Sequence, residues 1–69
     1  MNEYSFEKGW GQVQQKDVEA VREQIMLALG ATTFQTFRQR KKGTVEPKVS
    51  EKAEIERIFN EFGITEIWG

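Results

Sequence analysis

Within residues 35–42, Gln35, Arg38, Gln39, Arg40, Lys41 and Lys42 crowd together, Thr32 and Thr36 stand beside them, and no Asp or Glu occurs from residue 24 to 45. These side chains share one chemistry. Gln pairs bidentately with the adenine edge, Arg with guanine, and Thr offers a hydroxyl or a methyl to thymine. Lys and Arg neutralise phosphates. Catalytic material is lacking: the 69 residues contain no histidine and no cysteine, hence neither the usual general base nor a thiolate nucleophile or zinc ligand. The scattered carboxylates read as solvated helix faces. The expectation is therefore a non-enzymatic chain with no cofactor and no metal.

The net charge of −1 conceals a segregated distribution. Residues 1–30 sum to −2, residues 31–50 to +4 through Arg38, Arg40, Lys41, Lys42 and Lys48 against Glu46, and residues 51–69 to −3. A basic segment flanked by acidic ones gives a one-sided field able to orient the molecule on a polyanion.

Three elements are needed to position that segment. From Asp17, the spacing of Val18, Val21, Ile25 and Ala28, widened by Ala20, Leu27 and Leu29, predicts a helix over 17–29 that stops at Gly30. Thr32 is expected to cap the next helix, 33–42, with Gln35 completing a capping box and Gly43 ending it. Its apolar face is Phe34 and Phe37 with the stem of Lys41, so the opposite face presents Thr32, Gln35, Thr36, Gln39, Arg40 and Lys42. After a connection containing Pro47, Ser50 is expected to cap a third helix with the stripe Ile55, Ile58, Phe59 and Phe62, ended by Gly63 with Ile64 folding back.

The termini are rich in aromatics without helical period: Tyr4, Phe6, Trp10 and Val13 at one end, Ile67 and Trp68 at the other. They read as cover for the edge of a small core, with a short two-stranded pairing of the ends as an option. No leader is evident, and the longest apolar run, Ile25 to Leu29, is far short of a span, which points to a cytoplasmic protein with no membrane partner. The expected architecture is all-α, a small three-helix domain over 17–64 with an extended aromatic arm over 1–16 and a tail over 65–69.

The run Arg22 to Gly30, then Thr32-Thr33-Phe34-Gln35-Thr36-Phe37, Gly43 with Pro47 four residues on, and Ile55, Ile58 and Phe62-Gly63-Ile64 resembles the Cro and phage-repressor-like (lambda-repressor-like) helix-turn-helix domain. The resemblance covers residues 18–64. Relative to it, an aromatic arm replaces the usual preceding helix, Met26 replaces a small residue, and Phe37 falls one position late, so the turn is longer by one. It implies a transcription regulator that inserts helix 33–42 into the major groove of double-stranded DNA, with homodimers common in the family. The base-reading candidates are Thr32, Gln35, Thr36, Gln39 and Arg40; the phosphate-binding candidates are Arg38, Lys41, Lys42, Thr44 and Lys48. A protein-interaction module, an anti-repressor or adaptor using the Trp-containing termini, is the alternative.

Overall fold

The computed structural model describes residues 3–69; Met1 and Asn2, part of the segment read as an arm, lie outside the described residues. The described chain is all-α: α1 (Glu7–Trp10), a 3-10 turn (Gln15–Asp17), α2 (Val18–Leu29), α3 (Phe34–Lys42) and α4 (Val49–Glu61). The three-and-four spacing in α2 and α4 buries Val21 and Ile25 of one against Ile55, Ile58 and Phe59 of the other, and these two helices form the principal packing of the domain. Phe37 of α3 joins the same core beside Phe6, Ile64 and Ile67.

Helix ends follow local chemistry. Gly30 and Gly43 take left-handed conformations (φ 67° and 83°), which lets the following amides, Ala31 N–H and Thr44 N–H, reach back to the Met26 and Gln39 carbonyls at 2.8 and 3.2 Å. Ile64 N–H donates in the same way to the Phe59 carbonyl, and the Ile64 side chain is buried as expected.

Several expectations are corrected. Thr33, not Thr32, caps α3: its backbone is extended and its Oγ1 accepts the Thr36 N–H at 3.2 Å. Gln35 then sits at the second helical position, too early to close a capping box. Ser50 lies inside α4, which begins at Val49, because Glu51 accepts the Lys48 N–H at 2.9 Å and fixes the start from the third helical position. Leu27 and Ala20, counted with the α2 stripe, are exposed.

The N-terminal segment is not an extended arm. It forms α1, places Phe6 at 1% exposure, and stacks that ring edge-on to Phe37 and Trp68 at centroid distances of 6.0 and 6.2 Å. Ser5 Oγ (2.9 Å) and Phe6 N–H (3.1 Å) both donate to the Lys41 carbonyl at the end of α3, tying the N-terminus to that helix. The two chain ends meet without forming a strand among the described residues. Gly9 N–H donates to the Ile67 carbonyl at 3.0 Å and Gly69 N–H to the Ser5 carbonyl at 3.2 Å. A Cβ at Gly9 would stand 3.0 Å from the Ile67 Cα, so a side chain there would fit only if the tail gave way by a few tenths of an ångström.

Candidate nucleic-acid interface

The short link between α2 and α3, residues 30–33, carries the chain directly from one helix to the next. Nine residues long, α3 buries one side chain, Phe37, whose ring is edge-on to Trp10 at 5.1 Å. With about 100° of rotation per residue, anchoring Phe37 inward turns Gln35, Arg38, Gln39 and Lys42 to the other side. All four are exposed, as are Thr32, Thr36, Thr44 and Lys48. Thus eight of the ten candidates lie on the surface; Arg40 and Lys41 are half-buried.

Those two are engaged elsewhere. Arg40 Nη2 meets Glu51 Oε1 at 2.5 Å, and the two side chains are only 14% and 17% exposed, so the pair fastens α3 to the start of α4. With Phe34 exposed and Phe37 the one inward anchor, Arg40, three residues on, lies about 60° from the buried ring and so turns toward α4, where Glu51 is its partner. Glu51 is a junction: its carboxyl is held below the usual carboxylate range, first by the Lys48 backbone N–H and then by the Arg40 guanidinium. The Lys41 ammonium lies over the Trp10 ring (5.5 Å) and the Phe37 ring (5.9 Å), covering the core edge with its stem as expected while withholding its charge from the Arg38 and Lys42 side.

Two hydroxyls have structural duties. Thr36 Oγ1 lies 3.0 Å from the capping Thr33 Oγ1, and Thr44 Oγ1 donates to the Gln39 carbonyl at 2.9 Å, closing the end of α3. Arg38 and Lys42 form no ion pair among the described residues, and α3 contains no acid. The acids of α4 are partly neutralised by its own arginine. Arg57 bridges Glu54 at 2.8 Å and Glu61, which lowers the Glu54 pKa and raises that of Arg57. Glu46 sits near the Tyr4 hydroxyl and pushes its pKa up.

Phe34, counted into the core from its spacing with Phe37, is 58% exposed at the first turn of α3. The Arg22 guanidinium of α2 lies over its ring at 4.8 Å. The i, i+3 spacing alone could not reveal this, because Phe34 begins its helix and no element covers it. The tryptophans follow the core-edge reading: both are half-buried against the hydrophobic cluster, and Trp68 Nε1 donates to Glu56 Oε2 at 2.8 Å. Among the described residues no group of acidic side chains is disposed to hold a metal ion, and no helix is long and apolar enough to cross a membrane.

Comparison with protein-family models, curated proteins and solved structures returns no match for this chain.

Proposed function

We propose that the protein is a sequence-specific double-stranded DNA-binding protein, acting in transcriptional regulation, with α3 as its recognition helix in the major groove. The observation that carries this reading is a helix anchored by one buried phenylalanine and free of acids, which turns Gln35, Gln39, Arg38 and Lys42 together toward solvent. A helix kept for stability would bury a wider stripe, as α2 and α4 do.

In this reading Gln35 and Gln39, one turn apart, take base edges, with Thr32 and Thr36 at the helix start. Arg38, Lys42 and Lys48 take phosphates, while Thr44, whose hydroxyl proton and N–H both go to the Gln39 carbonyl, closes the helix instead. Arg40 and Lys41 position the helix, the first through Glu51 and the second through the Trp10 and Phe37 rings. The one-sided charge outweighs the net value of −1, because affinity depends on the cations that reach phosphates and not on the molecule's sum.

Selection of bound sequences from a random duplex pool tests this reading. Enrichment of a defined site is expected, with affinity that falls steeply with salt. Replacing Arg38, Lys42 and Lys48 by Gln should flatten the log–log salt dependence by about 0.9 per lost phosphate contact. A pool that stays random after repeated selection would overturn it.

A further inference from the structure

Phe34 has no role in the core and no explanation in the reading above. It is the first residue of α3, 58% exposed, immediately before Gln35 and after the capping Thr33. Exposure alone does not single it out, since Leu27 and Val49 are more exposed still. The ring is also restrained. The Arg22 guanidinium lies 4.8 Å from its centroid, and Arg22 Nε is buried without a hydrogen-bond partner among the described residues, so ring stacking holds this guanidinium in place.

The ring forms one wall of a shallow groove of about 350 Å³ whose other lining residues are Glu23, Met26, Leu27 and Ala31. Four of the five lining residues are apolar and the fifth is an acid, a composition that disfavours phosphate and suits an uncharged apolar group. Phosphate contacts are instead available at Arg38 and Lys42 on the same helix. Along the major-groove edge of DNA, the one apolar projection is the thymine C5-methyl, and Phe is among the side chains suited to it.

We infer that Phe34, held in place by Arg22, is a specificity-determining residue that packs on a thymine methyl at the base step next to the one read by Gln35. The inference rests on α3 being the recognition helix. Arg22 is a positioning residue: its stacking fixes the ring, and its charge behind the ring adds to the attraction of the polyanion without contacting a base.

The test uses the site recovered by selection, with each thymine replaced in turn by deoxyuridine, which removes the methyl and keeps every hydrogen-bonding group. Wild-type protein should lose about fourfold in affinity at one thymine per bound protomer, the value of one buried methyl group. Phe34→Ala should bind the thymine and uracil forms of that position equally, while its discrimination at the positions read by Gln35 and Gln39 persists. Arg22→Gln should reduce the methyl preference without abolishing it. Phe34→Ala gives up only the contact with Arg22, so its melting temperature should fall by no more than about 5 to 8 °C, and Phe34→Leu, which retains an apolar contact, should restore part of the preference. A uracil penalty that persists unchanged in Phe34→Ala, or wild-type binding indifferent to uracil at every position, would overturn the inference and leave α3 as the reader. Failure of the underlying reading looks different, since then no site is selected at all.

Discussion

Glu51 joins α3 to the start of α4 through one carboxylate, and its removal gives a calculable loss. The side chain accepts the Lys48 N–H at 2.9 Å, capping α4, and holds Arg40 of α3 at 2.5 Å with both partners mostly buried. Loss of a helix cap costs about 1 kcal/mol. Loss of a charge-assisted hydrogen bond away from bulk water costs about 1.5 to 3 kcal/mol. Glu51→Ala should therefore destabilise by about 2 to 4 kcal/mol, which in a domain of this size lowers Tm by about 10 to 30 °C. Glu51→Gln keeps an oxygen for the Lys48 amide but loses the charge facing Arg40, so its Tm should fall between those of Glu51→Ala and the wild type. The pH dependence has a definite sign. The folded-state pKa of Glu51 is lowered, so its contribution is full above the ordinary carboxylate range and disappears as pH falls through that range to the lowered value. The gap between wild type and Glu51→Gln, read by circular-dichroism melts, should accordingly close on acidification. Equal melting temperatures for all three proteins at neutral pH would refute the reasoning, and so would a gap that widens in acid.

Ile58, fully buried between α4 and α2, should cost about 2 to 5 kcal/mol when cut to alanine, enough to leave a small domain largely unfolded near 37 °C; denaturant titration checks it. Gly9→Ala drives a methyl to 3.0 Å from the Ile67 Cα and should destabilise by about 1 to 3 kcal/mol, although α1 itself would gain helix propensity; a rise in Tm would show that the tail moves aside freely. Truncating the chain after Glu66 removes Ile67 and Trp68 from the core and should collapse the cooperative transition, whereas a detachable tail would leave it intact.

The periodic helices were legible because their burial is set by spacing: Val21 and Ile25, and Ile55, Ile58 and Phe59, are the core that a period near 3.6 demands. The glycine stops at Gly30, Gly43 and Gly63 were legible for a similar reason, since each needs a positive φ that other residues resist. What local pattern could not supply was the choice among competing partners. Thr32 and Thr33 are equivalent as caps until the helix register is set. Arg40 counts as outward only while Phe34 is taken as a second inward anchor; with Phe34 exposed, it turns toward α4 and meets Glu51, eleven residues on. Phe6 and Ile67 show no period because they enter the core from an irregular segment and a short tail that meet only in three dimensions. The outward positions of Gln35, Gln39 and Lys42 were legible because they hold with Phe37 alone as the inward anchor, even though Phe34, counted with it, is exposed.

The most direct test of DNA reading by α3 is the specificity ratio, the affinity for the selected site divided by that for random duplex at the same salt, compared between wild type and Gln35→Ala/Gln39→Ala. Both side chains are exposed, so the double variant should keep its fold and its nonspecific binding. If these residues read bases, the ratio should fall by about 1 to 3 kcal/mol per lost contact, a drop of roughly fivefold to 150-fold for each, with the loss confined to one or two base positions per residue. A ratio unchanged from wild type would contradict the assignment of α3 as the recognition helix.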